Sequence, residues 1–402
     1  MTEAITDFSP TPSLNRSLRI QIPAIIATRV AINTMIRMVY PFLPVFGRGL
    51  GVDLGLLSLA VTFRSAAGVL GPFLAAIADR RGRKAGILFG ITLFTIGAAL
   101  VGFWPGYPAF VLTLVLTILG NFVFIPSMQA YLGDRVPYAR RGMALALTEF
   151  GWSLSFILGV PLMGFLIARW GWIAPFPFLS AMGLLSLGLL ARLLPGDHPM
   201  PDQQWNLWRN LGGVLRYQPA LAGIFIGLMI SAANEVVNLV FGVWMEDSFG
   251  LKIAALGAAS AVIGFSELGG ESLVSLITDR VGKSRAVAAG LGLNCLAALM
   301  LPVLGFSLPG ALAGLFFFFF TFEFTIVSCI PIMTEVMPHA RATLMSIFIA
   351  ALSLGRALGA SASSPLYQNG FVFNILAAVT FNLAALLALR VLERGTRQPS
   401  EA

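Results

Sequence analysis

Nine ionisable side chains stand inside stretches of sequence that are otherwise apolar. Arg29, Arg37, Arg64 and Glu149 fall in the first half of the chain, and Glu235, Glu267, Glu271, Glu323 and Arg356 in the second. An arginine stays charged and can hold a carboxylate or phosphate through paired hydrogen bonds. A glutamate shielded from water is a natural group to load and release a proton. Spacing sharpens both roles. Arg29, Asn33 and Arg37 stand at i, i+4 and i+8, a stripe covering about 80° of a helix and roughly 12 Å of its length. Asn234 and Asn238 share one helical face, with Glu235 about 100° away. Glu267 and Glu271 share another, and two like charges so placed resist ionising together, which suits proton loading. Glu271 lies nearer the following loop and is expected to be the structural member of that pair. The candidate cargo-binding residues are therefore Arg29, Asn33, Arg37, Arg64, Asn234, Asn238 and Arg356. The candidate proton carriers are Glu149, Glu235, Glu267, Glu271 and Glu323.

What must position these groups is a set of long apolar helices. Of 402 residues, 57% are hydrophobic and 11% charged, less than half the charged share of about 25% in soluble proteins. Mean hydropathy is +0.86. A soluble fold this apolar would lack polar surface to face water, so composition predicts an all-α membrane protein, and 42 glycines fit that class. Runs near the roughly 20 residues needed to cross a bilayer recur at 20–46, 54–78, 85–104, 109–132, 141–168 and 172–194. They resume at 219–245, 253–278, 286–304, 308–334, 342–367 and 371–390, giving spans 1 to 12. A charge at the bilayer centre costs roughly 2.5–3.5 kcal/mol on insertion scales. Nine left unpaired would cost on the order of 20–30 kcal/mol, more than a net stability of about 5–15 kcal/mol. They must pair with one another or line a wet cavity.

Residues 195–218 carry the longest polar interruption. There Trp205, Trp208, Leu211 and Leu215 recur at helical spacing beside Arg209 and Arg216, as in a helix lying on the membrane surface or an ordered linker. The loops on the side of both termini hold nineteen Lys and Arg, whereas the opposite loops hold only Arg48, Arg169 and Lys252. That bias places both termini in the cytoplasm of a cell membrane, inner or plasma. The net charge of +8 is thus a topology signal, and no nucleic-acid partner is needed. The polar first 19 residues lead into span 1 without a small-residue cleavage site, so no cleaved leader is expected.

The halves also repeat. "ADRRGRKAG" at 78–86 returns as "TDRVGKSRA" at 278–286, and "VPYARRGMALAL" at 136–147 returns as "MPHARATLMSIF" at 337–348. The offsets are 200 and 201 residues. Two markers with nearly one offset predict two pseudosymmetric six-helix bundles, 1–194 and 219–402, joined by the linker 195–218 and enclosing a central site. One chain completes the pair, so a monomer is expected.

These residues resemble the major facilitator superfamily. Its loop pattern between spans 2 and 3 is matched by Gly71, Asp79, Arg80, Gly82, Arg83 and Lys84, and a degenerate second copy by Asp279, Arg280, Gly282 and Lys283. The resemblance covers essentially the whole chain and implies alternating access, with these loops latching the outward-facing state. An aspartate at a helix end can accept from exposed backbone donors and pair with arginines. "YPFLP" at 40–44 and the span-5 glycines and proline, Gly151, Gly159, Pro161 and Gly164, resemble the drug/proton antiporter branch. Small residues there let helices approach closely. Span 4 departs from that branch: "ILGNFVFIPSMQ" lacks the arginine some members use in proton coupling, which counts against antiport.

Other chemistry is thin. His198 and His339 fall in loops, Cys295 and Cys329 form no metal or disulfide pattern, and no Walker sequence is present. No cofactor, metal or enzymatic activity is expected. The arginines either grip an anionic or zwitterionic cargo or meet the second half's glutamates as structural ion pairs. The expected function is secondary transport of a small amphiphilic molecule, as proton-coupled efflux. Alternatives are a lipid or lipid-linked amphiphile translocase, organic-anion uptake, or a non-transporting membrane receptor or scaffold.

Overall fold

A computed structural model describes residues 16–74, 81–196 and 207–397. All regular elements among them are helical, and eleven helices are long and apolar enough to cross a membrane. In the first half these are span 2 (Leu54–Leu74), span 3 (Arg83–Phe103), span 4 (Tyr107–Arg135), span 5 (Met143–Trp170) and span 6 (Pro175–Leu193). The second half supplies span 7 (Gln218–Phe249), span 8 (Ile253–Thr278) and span 9 (Lys283–Leu304). Span 10 (Leu308–Val336), span 11 (Arg341–Tyr367) and span 12 (Phe371–Gly395) complete it. Span 1 is the helix Arg16–Arg37 continued after a turn by Leu43–Leu50. Its polar stripe keeps it out of the apolar set. The helix least like a lipid-facing segment is the one that carries Arg29, Asn33 and Arg37, all buried. The architecture is two six-helix bundles.

Spans 1 and 7 are both broken, which the continuous apolar runs at 20–46 and 219–245 did not announce. In span 1, Pro41 has no N–H to offer the Arg37 carbonyl and disfavours a helical Tyr40. Span 7 turns after Asn238 and restarts at Phe241. The two breaks face each other. A Cβ on Gly242 would lie 2.5 Å from the Tyr40 carbonyl oxygen and 2.7 Å from Pro41 Cα, so only glycine lets these backbones meet. Just beyond, Arg48 reaches Glu246 at 2.7 Å. The end away from the repeated loops is therefore shut.

The halves also pack along span 2 against span 11 and span 5 against span 8. Gly264 of span 8 sits where a Cβ would be 2.9 Å from the Ser153 carbonyl oxygen of span 5, close backbone approach of the kind small residues allow in membranes. At the other end, Gly82 and Gly282 adopt matching left-handed conformations, φ 96° and 94°, that start spans 3 and 9. Arg83 pairs with Asp134 at 3.5 Å, and Lys283 pairs with Glu335. Gly71 packs against the Phe122 ring, where a Cβ would be 2.7 Å away. Asp79, Arg80 and the side chain of Asp279 lie outside the described residues. So do Trp205 and the side chains of Trp208, Arg209 and Leu211. The segment 195–218 contains a helix, Leu207–Arg216, whose Val214 is buried.

Candidate functional site

The site is assembled where span 5 bends around span 1. Gly151 leaves only 3.2 Å between a would-be Cβ and the Arg29 methylenes. That lets Arg29 reach Glu149 with both terminal nitrogens, at 2.9 and 2.5 Å. Asn33 donates to the Gly151 carbonyl at 3.3 Å. Span 5 then widens into a π-turn at Ser155–Gly159, with the Val160 N–H reaching back to the Ser155 carbonyl. π-turns inside helices recur at functional sites because they free or redirect backbone groups. Here the Trp152 carbonyl accepts from Arg37 at 3.1 Å and from the Ser155 hydroxyl at 2.6 Å.

Arg37 crosses the interface between the halves. Its guanidinium meets both oxygens of Glu267 on span 8, at 2.5 Å. It also lies over the Trp152 and Phe156 rings, 4.1 and 3.6 Å from their centroids. Both members of the pair are buried, Arg37 at 3% and Glu267 at 5% side-chain exposure. A planar, weakly hydrated guanidinium tolerates such a setting because aromatic faces and a carboxylate replace its water. A second crossing runs through Tyr40. Arg64 of span 2 donates to the Tyr40 hydroxyl oxygen and to the Ile36 carbonyl at 3.0 Å. Tyr40 in turn donates to Glu235 of span 7 at 2.9 Å, and Arg64 and Glu235 are 3.7 Å apart.

Two cavities flank these crossings. An enclosed space of about 30 Å³ is bounded by Arg37, Tyr40, Asn234, Glu235, Asn238 and Glu267, room for about one water. The Oδ1 atoms of Asn234 and Asn238 are buried there without a hydrogen-bond partner. A larger cavity of about 550 Å³ lies on the loop-motif side, lined by Arg29, Glu149, Glu271, Glu323 and Arg356 among the side chains Phe150, Trp152 and Phe322. Trp152, Phe322 and Arg356 border both spaces and so separate them.

The structure thus brings nearly all the sequence-named charges into one cluster but gives them unequal partners. Arg29, Arg37 and Arg64 are engaged. Arg356, Glu271 and Glu323 have no ion pair among the described residues, although both glutamates border the open cavity. The expectation that Glu271 is the structural member of its pair is reversed, since Glu267 holds the arginine. Span 5's motif residues pack as close-approach points: Gly159 against Thr34, Gly164 against Phe42 and Ile253, and Pro161 against Gly257. Sequence reasoning missed Tyr40 as a bridge. Its signal was its position one turn beyond Arg37, next to the proline that breaks the span.

A family model described as the Major Facilitator Superfamily matches residues 25–360. The chain belongs to the major facilitator superfamily. It is 26% identical to the MFS-type transporter YceJ of Bacillus subtilis over 332 residues, 80% of this chain and 83% of that one. It is 28% identical to multidrug resistance protein MdtG of Serratia proteamaculans over 263 residues, 62% and 63% of the two chains. A crystal structure described as a bacterial homolog of the human lysosomal transporter Spinster, inward-facing and unoccupied, superposes with a TM-score of 0.74 at 15% identity. It covers 97% of this chain and 100% of that one. This superfamily protein is therefore a multispanning secondary transporter of a small-molecule substrate and not an enzyme.

Proposed function

We propose that the protein exports small amphiphilic molecules bearing a zwitterionic head, in exchange for protons. The observation that carries this reading is the division of labour around the 550 Å³ cavity. Its walls offer aromatic surface from Phe150, Trp152 and Phe322, one uncommitted cation in Arg356, and two uncommitted carboxylates in Glu271 and Glu323. A cargo with both signs matches that lining, and its acidic group would compete for Arg356 while its basic group meets the glutamates. Arg29 and Arg37, expected as direct grips, act instead through their carboxylates: a proton on Glu267 removes the charge that holds Arg37 across the interface. The similarity to MdtG, a protein named for multidrug resistance, supports efflux. The shut tip at Arg48 and Glu246, together with a cavity open on the loop-motif side, supports an inward-facing state with both termini cytoplasmic.

Reconstituted vesicles with an imposed pH gradient test this directly. Uptake of zwitterionic amphiphiles against their gradient should require the proton gradient and fall at least tenfold in Glu323→Gln and Arg356→Gln. Gradient-independent flux, or transport by both variants equal to that of the parent protein, would overturn the coupling. Thermal stabilisation by lipophilic cations alone, unchanged in Arg356→Gln, would overturn the zwitterion assignment and leave an ordinary cationic-drug pump.

A further inference from the structure

The enclosed space of about 30 Å³ has a wall that neither ion pair explains. Asn234 and Asn238, one turn apart on span 7, are each 7% exposed, and the Oδ1 atom of each is buried without a hydrogen-bond partner. Asn238 turns its amide N–H toward Glu235, so the oxygen is the atom left over. Buried acceptors are almost always satisfied in folded proteins, and two facing one space point to a donor between them. The repeat accounts for the room. At an offset of 201 residues Asn238 stands where Arg37 stands. Arg37 fills its place with a guanidinium set against Glu267 and the Trp152 and Phe156 rings. An asparagine ends several bonds sooner, and what it leaves is the size of one heavy atom.

The charges around the space decide what can enter it. Glu267 is held by Arg37, and Glu235 by Tyr40 and Arg64. Arg356 brings a further positive charge to the wall. A sodium or ammonium ion would therefore meet guanidinium groups with no free carboxylate to receive it. A halide would meet two carbonyl oxygens. A small neutral donor suits both oxygens. Arg356 offers donors only, which such a group must be able to accept. Arg37 is not available for this, because its terminal nitrogens are engaged by the Trp152 carbonyl and Glu267.

We infer that one water molecule binds here, donating to Oδ1 of Asn234 and of Asn238 and accepting from Arg356. A buried water makes about three hydrogen bonds of this kind. The water ties span 7, just before its break, to span 11. It gives Arg356 a neutral partner in place of a carboxylate. Asn234 and Asn238 are thereby positioning residues for Arg356, holding it at the wall shared with the 550 Å³ cavity. An acidic group arriving in that cavity meets a guanidinium with no ion pair to break among the described residues. That last consequence rests on the cargo reading above, whereas the water site does not.

Radiolytic hydroxyl labelling of the purified full-length protein, begun after rapid mixing into heavy-oxygen water and read by mass spectrometry, tests it. Radicals formed from a bound water oxidise the side chains beside it. Phe156 and Phe319 are buried and border the enclosed space but not the open cavity. They should label at least fivefold faster than Phe94 and Phe110, equally buried rings that line neither space. They should also take up heavy oxygen later than Phe150, which lines the open cavity. Asn234→Leu and Asn238→Leu keep the side-chain shape without the acceptor, and each should bring both rings down to the control rate. Arg356→Ala, which opens the shared wall, should let them take up heavy oxygen as early as Phe150. Control-rate labelling in the parent, or labelling unchanged by both asparagine variants, would overturn the water site. Late uptake persisting in Arg356→Ala would overturn the tether. Replacing sodium by N-methylglucamine, or chloride by gluconate, separates the occupants. A melting temperature higher by about 2 °C or more in sodium or in chloride, lost in Asn234→Leu, would make this an ion site and overturn the assignment. No transport is measured, so failure here leaves the cargo and proton readings standing, and their failure leaves this one.

Discussion

Spans 1 and 7 are repeat partners at an offset of 201 residues, which pairs Asn33 with Asn234 and Arg37 with Asn238. Both break near the same level, and the breaks touch. Their chemistry has nevertheless diverged. Span 1 brings arginines and takes its carboxylates from spans 5 and 8, whereas span 7 carries its own carboxylate, Glu235, at the place of Thr34 and takes its cation from span 2. The first bundle is left with two arginines, Arg37 and Arg64, that no acid of its own satisfies, and the second with more buried acid than base. Each core is neutralised by the other. A uniform scaffold would pair its charges within each bundle. Segregating them makes the interface itself the place where electrostatic energy is held, which is what a protein that must part and rejoin its halves can use.

That contrast can be broken most severely at Arg37. Glu267→Gln should destabilise the protein by about 3–5 kcal/mol, since a buried guanidinium loses its counter-ion. The double substitution Arg37→Met with Glu267→Leu should recover most of the loss. Calorimetric or fluorescence melting would check both, and a single variant as stable as the parent would show that the pair is not closed in solution. Next in size is Tyr40→Phe, which removes the only hydroxyl between span 1 and Glu235 among the described residues. A loss of about 1–3 kcal/mol is expected, together with faster labelling of a cysteine placed at Asn238. Gly242→Ala probes the touching tips and should cost about 1–3 kcal/mol through overpacking against the Tyr40 and Pro41 backbone. Gly133→Ala, in open space, serves as a control that should be neutral or stabilising by up to about 1 kcal/mol. The smallest effect belongs to Arg48→Gln. Its ion pair with Glu246 is exposed, Arg48 at 60%, so a change within about 1 kcal/mol is expected, diminishing further in high salt.

How much of this was legible beforehand varied with the kind of signal. Helix number and the two-bundle plan follow from hydropathy and from the repeated loops, because a bilayer forces every span to declare itself as a long apolar run. The stripe Arg29, Asn33 and Arg37 announced a buried face for the same reason. Its partners did not announce themselves. Nothing local to Glu267 distinguishes it from Glu271, one turn away, and only the bend of span 5 decides which of them Arg37 can reach. The breaks were half visible: Pro41 marks one, but span 7 has no proline at its break. The π-turn carried no sequence mark beyond the glycines on either side of it.

That π-turn has a consequence for how the chain can change length. A π-turn holds one residue more than the α-turn it replaces. Removing a residue anywhere else in span 5 would swing everything beyond the cut by about 100°, carrying Gly151 off Arg29 or Gly164 off Phe42. Between Ser155 and Gly159, the same deletion would restore a regular helix and leave both flanks on their present faces. This short segment is the one stretch of span 5 where a single-codon loss can spare the packing at either end, and the contact it would take away is the carbonyl that holds Arg37.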